Sequence, residues 1–232
     1  MISLRKMVAS LVFAAVCCGF LPGALAQSVS KPGPFEPEIV AYEKKDAASA
    51  PTPGGVVFVG SSSFRMWKDL ETSFPGVNVI NRGFGGSELS DSVKYADRIV
   101  IPYNPAMVVI YAGDNDIAAG KSPETVCADF VSLATAIRNA LPDAKIAFLS
   151  IKPSIARWAL VDKIKDANRQ IKAYARKQKG MTFIDIFPQM LNEEGEPRPE
   201  LYREDGLHPT AECYRLWQKI IAPYLKPYKT KK

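Results

Sequence analysis

The sequence has a single histidine, His208, among its 232 residues. One chain therefore cannot build a zinc site on two or three imidazoles, and no Cys-x-x-Cys or His-x-x-x-His pair replaces such a site. Proton transfer near neutral pH must be carried out by His208 or by a carboxylate with a shifted pKa. A lone histidine is more often a hydrogen-bonded structural residue than a catalyst, so its uniqueness alone does not decide its role.

Long apolar runs are also scarce, and the clearest one lies at residues 7–21. Two basic residues precede it and Ala-Leu-Ala at residues 24–26 closes it, which is typical of a cleaved signal peptide. The run is short for a membrane span. We therefore predict a signal peptide over residues 1–26, export to the periplasm or the outside of the cell after cleavage near Ala26, and no stable membrane span in the mature chain.

The sequence lacks a strong excess of charge, since its formal net charge is +6. The basic residues are spread along the chain and end in a short tail at residues 227–232. Such a tail usually keeps a surface solvated, so we predict no nucleic-acid partner. The residues after the signal peptide suffice for one domain with a substantial core.

An apolar run at residues 56–59 is followed by Gly60 and by three consecutive serines, Ser61, Ser62 and Ser63. The spacing of the next apolar residues, 64, 67, 70 and 74, predicts a helix. A turn from strand to helix lifts a hydroxyl above the carboxyl end of a sheet and points free N–H groups at a ligand, which suits a nucleophile. The alternative is that the serines only cap the helix.

Five short apolar segments alternate with helical patterns of ten residues or more. This alternation predicts an α/β domain with a parallel sheet and right-handed crossovers. In such a sheet, ligands bind beyond the carboxyl ends of the strands. The predicted strands are residues 56–59, 77–81, 107–111, 145–151 and 181–186.

Asp205 precedes His208 by three residues across a glycine-containing turn, just before the last predicted helix. At this spacing the carboxylate can reach the imidazole and fix its tautomer, as the acid of a catalytic triad does. This pair favours a catalytic interpretation of His208 over a structural one.

Four short blocks resemble those of the SGNH hydrolases, also called the GDSL esterase/lipase family, and most of all its platelet-activating-factor acetylhydrolase-like members. The resemblance implies a single three-layer α/β/α domain over residues 56–226, with a flavodoxin-like five-stranded sheet of order 2-1-3-4-5. An N-terminal arm and linker over residues 27–55 would precede it. The blocks are GSSS at residues 60–63, GFGG at 83–86, GDN at 113–115 and DGLH at 205–208.

The resemblance implies a role for each matching residue. Ser62 would be the nucleophile, because the family's Gly-Asp-Ser aligns with residues 60–62, although Ser61 replaces the usual aspartate. Asp205 and His208 would complete the triad. The backbone N–H groups of Ser62 and Gly86 and the side-chain amide of Asn115 would form the oxyanion hole. No metal or cofactor is implied.

The function implied is a serine carboxylic-ester hydrolase that acts through an acyl-serine intermediate on a small ester or on an O-acylated carbohydrate or lipid. Two alternatives stay open: an acyltransferase to a sugar hydroxyl, and a non-catalytic envelope- or carbohydrate-binding module on the same fold. Arg157 is a candidate for binding a carboxylate or phosphate. Four aromatic residues are candidates for a pocket, although such residues are more often core: Phe64, Phe84, Trp158 and Tyr202.

Only Cys127 and Cys213 remain after removal of the predicted signal peptide. Two cysteines in an exported protein suggest a disulfide. The strand order 2-1-3-4-5, however, places their helices on opposite faces of the sheet, too far apart for a bond that needs Cα atoms within about 7 Å. We therefore predict two free thiols.

Overall fold

The computed structural model describes residues 33–229. The predicted signal peptide lies outside these residues, as do the last three residues of the predicted basic tail. The division of the chain into signal peptide, arm, domain and tail stays a prediction. Between residues 33 and 229, no helix is long and apolar enough to cross a membrane.

Five parallel strands form one sheet in the order β2-β1-β3-β4-β5, which confirms the predicted topology. Gly60 at the end of β1 lies beside Gly83 at the end of β2 and beside Tyr111 at the end of β3. The loops that follow these three strands therefore start at the same edge of the sheet. The strands are β1 Val56–Gly60, β2 Val79–Gly83, β3 Met107–Tyr111, β4 Lys145–Leu149 and β5 Met181–Ile184.

Helices cover both faces of the sheet and form two buried clusters, because alternate strand side chains point in opposite directions. In β1, Val57 and Val59 join the cluster that contains buried residues of α1, α3, α5 and α6, whereas Val56 and Phe58 join that of α2 and α7. The helices are α1 Glu36–Ala48, α2 Ser62–Arg65, α3 Leu89–Ile99, α4 Asp114–Ala118, α5 Pro123–Ala140, α6 Val161–Arg176 and α7 Ala211–Leu225.

The helix predicted after β1 is much shorter than the apolar spacing indicated. α2 ends at Arg65, and a separate 3₁₀ turn follows at Leu70–Thr72. A longer helix would pair the Phe64 carbonyl with the N–H group four residues later, but that carbonyl accepts instead from the Trp67 N–H group at 3.1 Å and from the Asn81 side chain at 2.8 Å. The four apolar residues that suggested the helix are nevertheless all buried in one cluster: Phe64, Trp67, Leu70 and Phe74.

The second strand begins two residues later than predicted and extends to Gly83. Val77 forms an isolated antiparallel bridge with Lys229 instead of joining the sheet. The strand includes Arg82, whose side chain is buried because Asp46 and Tyr103 both bond to it. A buried arginine does not contribute to an apolar pattern, so the strand predicted from that pattern ended before Arg82.

Cys127 and Cys213 are free thiols, as predicted. Cys127 lies on α5 and packs against the cluster on one face of the sheet, whereas Cys213 on α7 belongs to the cluster on the other face. The sheet separates the two side chains.

Candidate active site

The predicted site residues are brought together at the carboxyl edge of the sheet. Ser62 is the first residue of α2, and only Ser61 separates it from Gly60 at the end of β1. The turn requires glycine at position 60, because a Cβ atom there would lie 1.8 Å from the Tyr111 carbonyl oxygen. The close packing of β1 on β3 therefore fixes where the chain leaves the sheet and where Ser62 begins.

A hydrogen-bonded relay connects Ser62, His208 and Asp205. The Ser62 Oγ atom lies 3.0 Å from His208 Nε2, and His208 Nδ1 lies 2.6 Å from Asp205 Oδ2. When Nδ1–H donates to the carboxylate, Nε2 is free to accept the serine proton. This order of contacts allows the imidazole to act as a general base toward the Ser62 hydroxyl.

The Asp205 carboxylate is held by its own turn as well as by the imidazole. Its Oδ1 atom accepts the backbone N–H groups of Leu207 and His208, each at 2.9 Å. Partial burial raises the pKa of Asp205, but the hydrogen bonds from His208 and Leu207 outweigh it and bring the pKa down to about 2. The carboxylate is therefore ionised at neutral pH and can stabilise a positively charged imidazole.

The three serines differ in burial. The side chains of Ser61 and Ser63 are buried, at 0% and 1% exposure, whereas Ser62 is partly exposed. The Tyr214 hydroxyl donates to the Ser63 carbonyl at 2.8 Å, which ties α7 to the start of α2. Of the three hydroxyls, only that of Ser62 contacts His208.

Two backbone donors, on the loops that follow β1 and β2, are available to a ligand. Within residues 33–229, the N–H groups of Ser62 and Gly86 have no acceptor in the protein. The first N–H groups of a helix lack intrahelical acceptors, which accounts for Ser62. Gly86 has a φ of 74°, in the left-handed region that favours glycine.

Asn115 is oriented by two contacts. Its Nδ2 atom donates to the Ser87 carbonyl at 3.0 Å, and its Oδ1 atom accepts from Arg157 Nη2 at 3.0 Å. The amide nitrogen carries two hydrogens, so one donor remains after the bond to Ser87. The side chain thus joins the loop after β2, which contains Gly86, to the loop after β4.

Asp114, next to Asn115 in the chain, belongs to a buried ion cluster that the sequence analysis did not predict. Lys152 Nζ and Arg157 Nη1 lie 2.7 Å and 3.2 Å from the same Oδ2 atom of Asp114. Burial raises the pKa of Asp114, but the two cations outweigh this effect and keep the pKa below its usual range. Arg157, predicted to be available for an external carboxylate or phosphate, is instead paired with a carboxylate of its own chain. The only indication of this cluster in the sequence was Lys152, directly after the predicted strand at residues 145–151.

Three of the four aromatic candidates for a pocket belong to the core. Phe64 and Phe84 are fully buried, and Tyr202 is 5% exposed. The Tyr202 hydroxyl donates to the Pro153 carbonyl at 2.7 Å and so anchors the loop after β4. Trp158 is partly exposed on that loop.

A model of the GDSL-like lipase/acylhydrolase family matches residues 54–216. The chain belongs to this family. The match to the GDSL-like family includes all five strands and every predicted site residue, whereas α1 lies before it. Membership of a family of lipases and acylhydrolases supports an ester-hydrolase function for this chain.

Solved structures of similar fold include GDSL-like proteins. A GDSL-like lipase from Bacteroides thetaiotaomicron is 25% identical, with a TM-score of 0.71 over 82% of this chain and 97% of that one. A protein from Streptococcus pneumonia whose name refers to platelet activating factor is 19% identical, with a TM-score of 0.73 over 82% of this chain and 92% of that one. A carbohydrate esterase of family 3 from Talaromyces cellulolyticus is 18% identical, with a TM-score of 0.57 over 74% and 96% of the two chains. No curated protein sequence matches this chain.

Proposed function

We propose that this protein is a serine carboxylic-ester hydrolase that works through an acyl-Ser62 intermediate. The observation that carries the proposal is the continuous relay from Ser62 Oγ to His208 Nε2 at 3.0 Å and from His208 Nδ1 to Asp205 at 2.6 Å. A non-catalytic binding module on the same fold would have no need to keep this relay intact.

In the first half of the reaction, Ser62 Oγ bonds to the carbonyl carbon of the ester while its proton moves to His208 Nε2. The carbonyl oxygen becomes an oxyanion, which accepts hydrogen bonds from the N–H groups of Ser62 and Gly86 and from the Asn115 amide. The ester C–O bond then breaks, and the alcohol leaves with the proton from His208. Asp205 remains ionised throughout and stabilises the imidazolium.

In the second half, a water molecule attacks acyl-Ser62 and gives a proton to His208. The same three donors stabilise the second oxyanion. When the bond between Ser62 Oγ and the acyl carbon breaks, the serine recovers its proton from His208 and the carboxylic acid is released. This cycle consumes one ester and one water, and it uses only side chains and backbone groups of this chain.

The proposed substrates are small acyl esters, including O-acetyl groups on carbohydrates, with O-acylated lipids as a wider class. The fold likeness to a carbohydrate esterase is compatible with a sugar ester. We propose that the protein acts outside the cytoplasm, because residues 1–26 have the pattern of a signal peptide.

A serine-reactive phosphonate tests the nucleophile. Labelling is expected at Ser62 alone, and Ser62→Ala should abolish both labelling and ester hydrolysis. Ser61→Ala and Ser63→Ala are matched controls, because each removes a neighbouring hydroxyl that does not contact His208. Labelling that mass spectrometry assigns to residue 61 or 63 would contradict the assignment.

The substrate class is tested with activated esters of increasing acyl length and with O-acetylated sugars. Hydrolysis of short esters by the wild-type protein but not by Ser62→Ala would support the proposal. Addition of a sugar acceptor in excess separates the alternatives: formation of an acylated sugar in place of free acid would identify an acyltransferase. No turnover of any ester by the folded protein would favour the binding module.

A further inference from the structure

The helix α1 lies outside the family match, yet it packs onto the loop that contains Gly86. Ile39 of this helix is fully buried in the cluster that also contains residues of α3, α5 and α6. The ring of Phe35, just before the helix, meets the ring of Phe84 edge-on, with centroids 5.3 Å apart. The helix therefore belongs to the folded core, and one of its contacts already reaches the loop after β2.

Three residues at four-residue spacing, Glu38, Tyr42 and Asp46, share one face of α1, because side chains at i and i+4 are neighbours on a helix. Asp46 Oδ1 accepts from Arg82 Nη2 at 2.5 Å, and the Tyr42 hydroxyl donates to the Gly83 carbonyl. As the residue number decreases along α1, from 46 to 42, that of its partner increases, from 82 to 83. This face of α1 thus contacts the end of β2.

Glu38 makes the contact nearest to the proposed oxyanion hole. Its two carboxylate oxygens lie 3.2 Å and 3.3 Å from the backbone nitrogen of Gly85, the residue before Gly86. Arg65 Nη1 lies 3.4 Å from the same carboxylate and offsets its charge. Burial raises the pKa of Tyr42 to about 12, so its hydroxyl stays protonated and donates at neutral pH.

A segment with glycine at position 83, where β2 ends, and at positions 85 and 86 of the loop needs such contacts. Glycine visits many backbone conformations, and an oxyanion hole is effective only when its donors are already in place before the charge develops. On its other side this segment packs closely against α2: a Cβ atom on Gly83 would lie 2.4 Å from the Arg65 backbone nitrogen. The loop is therefore fixed between the helix that begins at Ser62 and α1.

We infer that α1 is a positioning element of the catalytic site and that Glu38, through the Gly85 N–H group, sets the direction of the Gly86 N–H group toward the oxyanion. This inference rests on the proposed function of Ser62 and Gly86. It assigns a role in the transition state to a segment that precedes the matched family domain.

The test compares Glu38→Ala with Glu43→Ala. Glu43 lies on the same helix but pairs with Arg98 of α3 at 2.7 Å instead of with the loop. Glu38→Ala should lower kcat about 10- to 10²-fold with little change in KM, because a misplaced catalytic group costs rate in this range. Glu43→Ala should keep wild-type kcat. Glu38→Gln retains an acceptor for Gly85 N–H and should restore most of the lost kcat.

Equal kcat values for Glu38→Ala and Glu43→Ala, or an effect of Glu38→Ala on KM alone, would overturn the inference. If Glu38→Ala does not fold, Glu38→Met decides: it keeps the length of the side chain and removes only the acceptor for the Gly85 N–H group, and wild-type kcat in this variant would overturn the inference. Ser62→Ala is measured in parallel. An active Ser62→Ala enzyme would refute the proposed function itself, an outcome distinct from failure of the α1 inference.

Discussion

Arg157 donates through Nη2 to Oδ1 of Asn115 at 3.0 Å, so the amide oxygen is occupied and the amide nitrogen faces away from the guanidinium. An asparagine amide can otherwise rotate by half a turn and exchange its donor and acceptor. In the proposed reaction only the nitrogen can stabilise the oxyanion. We therefore expect the arginine to act on the proposed reaction through the orientation of its neighbour.

Replacement of Arg157 by Ala should lower kcat roughly 10-fold with a small change in KM, since an amide that rotates presents its donor for only part of the time. Asp114 keeps Lys152 as a partner in this variant, so the protein should remain folded. Arg169→Ala is the control, because this exposed arginine pairs with Asp166 on α6. Steady-state kinetics that give both variants wild-type kcat would refute the role of Arg157.

Replacement of Asn115 itself by Ala should lower kcat about 10²- to 10³-fold, the range seen when one oxyanion donor is removed. Asn115→Asp retains the acceptor for Arg157 and loses the donor, and should be impaired to a similar extent. Asn192→Ala, which removes an amide from a distant exposed turn, should lose only stability. A folded Asn115→Ala enzyme with full kcat would show that this residue only shapes the turn after β3.

Replacement of Asp114 by Ala should destabilise the protein by roughly 3–5 kcal/mol, because it leaves the buried Lys152 without its carboxylate. Asp185→Ala removes the partner of Lys172 in a pair that is more than a third exposed, and should cost about 0–1 kcal/mol. Urea denaturation measures both, and equal costs would contradict a buried ion cluster.

Acid should remove the stabilisation that Asp205 contributes. Its pKa is about 2 in the folded protein against an ordinary value of 3.8, so the contribution is present above pH 4 and is lost as the pH falls toward 2. The side chain is 47% exposed, so solvent screening keeps the effect small. The difference in free energy of unfolding between wild type and Asp205→Asn should shrink between pH 5 and pH 2.5. A constant difference would mean that the pKa of Asp205 is not depressed.

The sequence allowed prediction of a parallel sheet and of the loops that meet at one edge of it, because apolar runs mark buried strands and the connections in such a sheet obey a fixed handedness. The strand order itself was implied by the family resemblance. The contact between Ser62 and His208 spans 146 residues. No periodicity encodes such a contact, so its prediction depended on the family resemblance.

Other parts of the site could not be predicted, for a different physical reason. The bond from Arg157 to Asn115 and the bonds from Glu38 to Gly85 join polar side chains or backbone groups on separate segments. Each residue alone resembles an ordinary surface residue, and only the folded chain brings the partners together. The short length of α2 is a further example, because the Phe64 carbonyl near its end accepts from the side chain of Asn81 on the next strand.

The separation of Cys127 and Cys213 by the sheet has a consequence for biogenesis. Burial raises the pKa of both thiols, that of Cys213 to about 12, so neither is readily deprotonated for exchange chemistry. Within residues 33–229, folding therefore requires no oxidation step and no isomerase to correct pairing. Maturation in a reducing cytoplasm and maturation in an oxidising compartment should lead to the same folded domain.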